Sequence, residues 1–236
     1  MTETSTPRIA VIAGATGLIG SQLLRMLIQS GRWGKIIVLT RRPLPAQAQH
    51  PLTDNRVIDF SQLDQLHIES DIPVQDCFCC LGTTLKQAGS KAAFYEVDYT
   101  YCMALAQWAR QQSVAHFLLV SAVSAKADSM IWYNAVKGRL EADLQKMCWP
   151  QLTVVKPSLL LGVRPEPRFL EHLAIRLAPL LSPVFCGPLR RSHPVAAEAV
   201  ASALLMAALQ PGSEPVRSLY YEEIVKLAKA GAQILV

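Results

Sequence analysis

Apolar residues in this chain fall into two kinds of run that alternate along its length. Short runs, apolar at almost every position, span residues 8–13, 35–40, 74–81, 116–120 and 152–156, with a shorter one at 56–60. Stretches with helical spacing lie between them. Residues 18–30 place Ile19, Leu23, Leu24, Leu27 and Ile28 on one face, and Gly31 and Gly34 mark their end. Helices are also predicted over 91–112 and 130–147, then over 195–209 and 222–230 on either side of a short strand at 216–221. Residues 43–51 form a loop rich in proline and polar residues. Strands that are apolar throughout are buried on both faces. Joined by helices, they predict an α/β fold whose parallel sheet is covered on each side.

The texture changes at Pro157. From there to Pro194 the chain is rich in Pro, Leu and Arg. This segment reads as an insertion that shapes a site, because it has no visible core of its own. Residues 1–236 are therefore expected to form one domain, with 157–194 and the C-terminal helices as a substrate lobe.

Composition sharpens that picture. Of 236 residues, 51% are apolar and 17% charged, against a usual ~25% charged. Mean hydropathy is +0.23, so a membrane span has to be tested, and one needs roughly 18 or more consecutive apolar residues. The densest stretch, 169–189, is broken by Glu171, His172, Arg176 and three prolines. No membrane span is expected. The first eight residues, MTETSTPR, hold no apolar leader, and the expected location is cytoplasmic. Cys77, Cys79 and Cys80 fall in an apolar strand with no histidine nearby and, with Cys102, Cys148 and Cys186, read as core thiols. The histidines at 50, 67, 116, 172 and 193 are dispersed and form no metal-ligand set. A net charge of +5, scattered without interleaved aromatics, argues against a nucleic-acid partner.

The first chemical motif is Gly14-Ala15-Thr16-Gly17-Leu18-Ile19-Gly20, between the first strand and the first helix. Gly14 permits a tight turn, Gly17 lets backbone approach a pyrophosphate, and Gly20 lets the helix pack on the strand. The helix start then offers N–H groups and partial positive charge to phosphates. The end of the second strand should choose the cofactor. An NAD-binding fold holds the ribose 2′-hydroxyl there with an acid. This chain has Arg41 and Arg42 instead, which would pair with a 2′-phosphate through charge-assisted bonds, so NADP(H) is the expected cofactor. Asp59 is either an adenine-side contact or a surface turn acid.

The second motif is Tyr133-x-x-x-Lys137. At this spacing the phenol and the ammonium share a helix face. A neighbouring cation favours the phenolate, and moving a phenol from pKa 10 to 7 takes about 4 kcal/mol. Tyr133 could then pass a proton to a carbonyl oxygen. Twelve residues earlier, Ser121 ends the fifth strand, where an open parallel sheet presents ligands.

The glycine motif, that serine and Tyr133-x-x-x-Lys137 together resemble the short-chain dehydrogenase/reductase superfamily. Within it, Cys80-Leu81-Gly82-Thr83-Thr84 with Gly89, Val97-Asp98, Lys137-Gly138 and Pro157 is similar to the atypical branch that includes the HIV-Tat-interacting protein. The likeness runs from about residue 8 to residue 228. It implies a Rossmann-like doubly wound parallel sheet with a small C-terminal substrate lobe, and NADPH as cofactor. It also implies that Leu81, Gly82, Thr83, Thr84 and Pro157 line the nicotinamide side, that Lys137 bonds the nicotinamide ribose, and that Ser121 or Ser124 orients a carbonyl, with spacing favouring Ser121. Thr83 and Thr84 could equally satisfy local backbone.

In the lobe, Leu159, Leu160, Phe169, Phe185 and Cys186 offer apolar walls, and Arg190, Arg191 and His193 offer positive charge. They suit a small-molecule substrate with an apolar body and a polar or anionic end, or else simply pack the lobe and meet solvent. A helix at 168–181 has an apolar stripe that is core, a lid, a homodimer or protein-partner face, or a membrane-surface contact. Three functions follow from the resemblance: an NADPH-dependent carbonyl reductase, a non-catalytic NADP(H)-binding regulator, or a nucleotide-sugar epimerase or dehydratase. The last usually holds NAD beneath a larger lobe.

Overall fold

The computed structural model describes residues 8–68, 70, 72–161 and 193–233. In chain order its elements are β1 (Arg8–Ala13), α1 (Leu18–Ser30), β2 (Trp33–Thr40), β3 (Thr53–Val57), β4 (Val74–Cys79), α2 (Leu85–Ala88), α3 (Lys91–Tyr95), α4 (Tyr101–Gln111), β5 (His116–Val120), α5 (Trp132–Gln145), β6 (Gln151–Val155), β7 (Leu160–Leu161), β8 (Val195–Ala196), α6 (Ala197–Leu209), β9 (Val216–Leu219) and α7 (Tyr221–Ala232). Seven strands pair in parallel in the order β3-β2-β1-β4-β5-β6-β9, the doubly wound Rossmann-like arrangement. The strand order reverses between β1 and β4, which opens a crevice at their carboxyl ends.

Strand residues divide alternately between two cores. Ile12, Val38, Phe78 and Leu118 face α1, α6 and α7. Val11, Leu39, Cys79 and Leu119 face α4 and α5. The even apolar texture of the strands is thus two interleaved apolar faces. The C-terminal helices pack in the α1 layer. Ten of the thirteen residues of α6 are buried, and a helix apolar on all sides requires cover on all sides. Here α1, α7 and the sheet provide it.

Two elements differ from the sequence expectation. The third strand is Thr53–Val57, not 56–60. It is an edge strand with one neighbour, so its own residues need not be apolar, and Phe60 packs beyond its end. The predicted helix 91–112 contains a π segment, Glu96–Thr100, between α3 and α4. The expected walls Phe169, Phe185 and Cys186, the cations Arg190 and Arg191, and the helix at 168–181 lie outside the described residues. No described helix is long and apolar enough to cross a membrane.

At the amino ends of the strands, Asp76 accepts from Arg8 at 2.7 Å and from the Trp33 indole at 2.9 Å. His116 lies beside it and shares a 2.8 Å bond with the Thr153 hydroxyl. Burial, then the Arg8 and Arg217 charges, lower the imidazole pKa to about 4, from an ordinary value near 6.5. The unfolded chain therefore binds this proton more readily than the folded one. His116 stability is fully present above pH 6.5 and is lost as pH falls to 4, by roughly 3 kcal/mol. Burial raises the Asp76 pKa and works in the opposite sense. Urea unfolding at pH 7 and pH 4.5 should show a smaller loss for His116→Gln than for the parent. Equal losses would refute the assignment.

Candidate active site

The crevice is built first from backbone. After β1 the chain turns through Gly14 at a φ of +85°, a region glycine enters without penalty. A Cβ there would be driven into the Cys80 carbonyl beyond β4. The Gly14 carbonyl accepts from the Gly17 N–H at 3.0 Å, and a Cβ on Gly20 would strike that same carbonyl. Gly17 begins α1 with no side-chain cap and no acid in the first turn. The helix thus presents its N–H groups and positive dipole end to the crevice. A cavity of about 150 Å3 opens there, walled by residues 14–17 and 39–41, Phe60, residues 80–82, Val97 and Tyr101.

Of the residues read from sequence, Gly14, Thr16, Gly17, Arg41, Leu81 and Gly82 line this cavity. Leu18 is half-buried, and Ile19 and Gly20 are buried behind the cradle. Arg42 and Asp59 are exposed and outside the cavity wall. The Asp59 carboxylate accepts from the Ser61 N–H at 2.9 Å, which holds its pKa below the usual carboxylate range. It caps a 3-10 turn while its neighbour Phe60 enters the wall. The apolar end of the cavity, Phe60, Val97 and Tyr101, was not evident from the motifs. The Phe60 and Tyr101 rings lie 5.6 Å apart. Burial and the bond that Tyr101 donates to Glu96 raise its phenol pKa, and the Arg41 charge pulls the other way.

Helix α5 supplies the second half. Tyr133, Lys137 and Glu141 stand four residues apart on one face, and Lys137 and Glu141 are buried. Lys137 Nζ lies 5.9 Å from the Tyr133 ring centroid, and Phe94 packs on that ring at 5.4 Å. The ammonium also has a partner that periodicity does not reveal. Asp98, fully buried in the π segment, brings Oδ1 to 2.8 Å from Nζ. Burial works to strip the Lys137 proton, but Asp98, then Tyr133, outweigh it and hold the pKa above the ordinary lysine value. Asp98 Oδ2 accepts from the Thr83 N–H at 2.8 Å, so the same carboxylate fixes the loop after β4. Thr84 caps α2 by accepting from the Gln87 N–H.

Ser121 directly follows β5, and its hydroxyl is already engaged. Its hydroxyl donates to Glu141 Oε1 at 2.5 Å, and Glu141 Oε2 lies 2.6 Å from Lys156 Nζ. A hydroxyl has one proton, so Ser121 has none left to polarise a carbonyl. Ser124 is exposed in the following loop. That loop is pressed against α5, where a Cβ on Gly138 would meet the Lys126 backbone. Pro157 is buried, and its carbonyl accepts from the Val123 N–H at 2.9 Å. A Tyr-x-x-x-Lys-x-x-x-Glu spacing was the available signal for Glu141. Nothing in one sequence pairs it with Lys156.

Residues 10–130 match the model of the NAD dependent epimerase/dehydratase family. The chain is 31% identical over 223 residues to Protein HTATIP2 of Rattus norvegicus, covering 92% of this chain and 88% of that one. It is 31% identical to a Meyerozyma guilliermondii protein named FMP52, mitochondrial, covering 86% of each chain. Several fungal relatives carry that name, and this overturns the expected cytoplasmic location. Among solved structures, a Campylobacter jejuni UDP-Glc/GlcNAc 4-epimerase superposes with a TM-score of 0.66 at 13% identity, over 95% of this chain and 84% of that one. MoeE5 in complex with UDP-glucose and NAD gives a TM-score of 0.64 at 17% identity, covering 94% and 81%.

The cradle can be tested without any ligand. Gly31 also has positive φ, at +60°, but nothing lies within 4 Å of a Cβ added there. Gly14→Ala should therefore destabilise the protein more than Gly31→Ala, by about 1 kcal/mol or more. Equal losses in urea unfolding would show that the close approach to Cys80 is not a constraint.

Proposed function

This chain belongs to the NAD dependent epimerase/dehydratase family, and from that premise we propose that it is an NADP(H)-dependent oxidoreductase acting on the carbonyl of a small molecule. The observation that carries the proposal is the Tyr133–Lys137 pair on α5, with Asp98 tying Lys137 to the loop after β4. The glycine cradle fits a dinucleotide, since Gly14 and Gly20 allow the close backbone packing that leaves the start of α1 facing the cavity. Thr16, Gly17, Leu18, Ile19 and Gly20 would hold its pyrophosphate. Arg41 and Arg42 would take a 2′-phosphate, and among the described residues no acid lines the cavity to repel one. Asp59 would flank the adenine side, and Leu81, Gly82, Thr83, Thr84 and Pro157 the nicotinamide side. The bound nicotinamide supplies a hydride. Tyr133 holds the proton at Oη, and Lys137 orients the site. Ser121 presents lone pairs there, because its O–H donates to Glu141.

That last geometry favours a second reading, a cofactor-binding protein without turnover. The two separate by experiment. NADPH should raise the melting temperature more than NADH does, and Arg41→Ala should shrink that difference; equal stabilisation by both would end the NADP(H) assignment. In a panel of aldehydes and ketones read by NADPH absorbance, Tyr133→Phe should lower turnover at least about a hundredfold while cofactor affinity holds. No turnover by the parent across the panel would favour the binding protein.

A further inference from the structure

Lys137 and Tyr133 are neighbours, but the ammonium already has a counterion. Asp98 enters from the π segment, a local widening of the helix of a kind frequent at functional sites. It approaches Lys137 Nζ to 2.8 Å, while the Tyr133 ring centroid stands 5.9 Å away. Both members of the ion pair are buried. The titratable groups that face Lys137 are Asp98 from the π segment, Tyr133 from its own helix and Cys102 from α4, with Cys79 of β4 beside them. A buried cation without a partner is strongly disfavoured. Without Asp98, and with Glu141 engaged by Ser121 and Lys156, the phenol is the group on α5 left to neutralise it, by giving up its proton.

We infer that Asp98 is a positioning residue that satisfies the charge of Lys137 and thereby keeps Tyr133 a proton-bearing phenol, poising the site to reduce a carbonyl rather than to oxidise an alcohol. The direction of reaction rests on the oxidoreductase reading above; the effect of Asp98 on Tyr133 does not. In reduction, the Oη–H bond of Tyr133 breaks as the substrate oxygen takes the proton and the substrate carbon takes the hydride. Oxidation runs those transfers backwards and requires a phenolate at the start. Asp98 thus counters the bias toward phenolate that a Tyr-x-x-x-Lys spacing alone implies.

The test needs neither cofactor nor substrate. Protein labelled with tyrosine carrying carbon-13 at Cζ is titrated by NMR, and the Tyr133 resonance is identified by its absence in Tyr133→Phe. The probe reads the phenol itself, although Tyr133 and Lys137 titrate as a coupled pair. In Asp98→Asn, whose amide oxygen still accepts from the Thr83 N–H, the Tyr133 midpoint should fall by about one pH unit or more. Asp98→Ser provides a second neutral variant should the asparagine form not fold. Asp98→Glu, which restores the charge, should keep the parent midpoint. An unchanged or raised midpoint in the folded neutral variant overturns the inference. Failure of NADPH binding or turnover in the parent would instead remove the functional reading and leave this result standing.

Discussion

The close approach of two main chains at the reversal of strand order governs the rest of the structure. Where β1 turns into α1, Gly14 lies against the carbonyl of Cys80 and Gly20 against the carbonyl of Gly14. No side chain fits at either contact. That restriction brings the start of α1 down onto the sheet, keeps its N–H groups at the crevice, and sets where residues 80–82 leave β4. The loop they begin runs on to Thr83, whose N–H is held by Asp98. The cradle and the Tyr133–Lys137 pair are therefore connected through a few bonds of backbone and the Asp98 carboxylate.

A ladder of buried charge along α5 forms the second layer of organisation. Lys137 is matched by Asp98, and Glu141 by Lys156 and Ser121. Burying ion pairs is costly, and pairs of this kind contribute little net stability when compared with apolar packing. They do fix register. Lys137 meets a partner in one rotation of α5 about its axis, and the same rotation aligns Glu141 with the end of β6. The polar groups thus orient a helix whose apolar contacts alone would define it less sharply.

Much of this was legible in the chain. The bounds of β1, α1 and β5 follow from apolar texture and from Gly31, because a strand buried on both faces leaves little ambiguity. Gly14, Gly17 and Gly20 announced the cradle for a steric reason that survives in the coordinates. The remainder depends on contacts distant in sequence. Asp98 was marked by the family resemblance, but its pairing with Lys137 stays hidden until the π segment turns it inward. Ser121 sits where a substrate-facing serine was expected, yet Glu141, twenty residues on, accepts its hydrogen bond. The third strand was misplaced because an edge strand with one neighbour carries no apolar signature.

Arg8 links the two ends of the chain. Its guanidinium bonds Asp76 and also the carbonyl of Ala208, two hundred residues away, at 3.1 Å. β1 is interior to the sheet, and α6, which follows the segment after β7, closes one face of the core. During synthesis that face of the sheet therefore stays incompletely covered until α6 has left the ribosome. Contacts of such long sequence separation slow folding and prolong exposure of sticky surface. A geometry that seals the folded core so thoroughly makes the nascent one dependent on protection until α6 and α7 arrive.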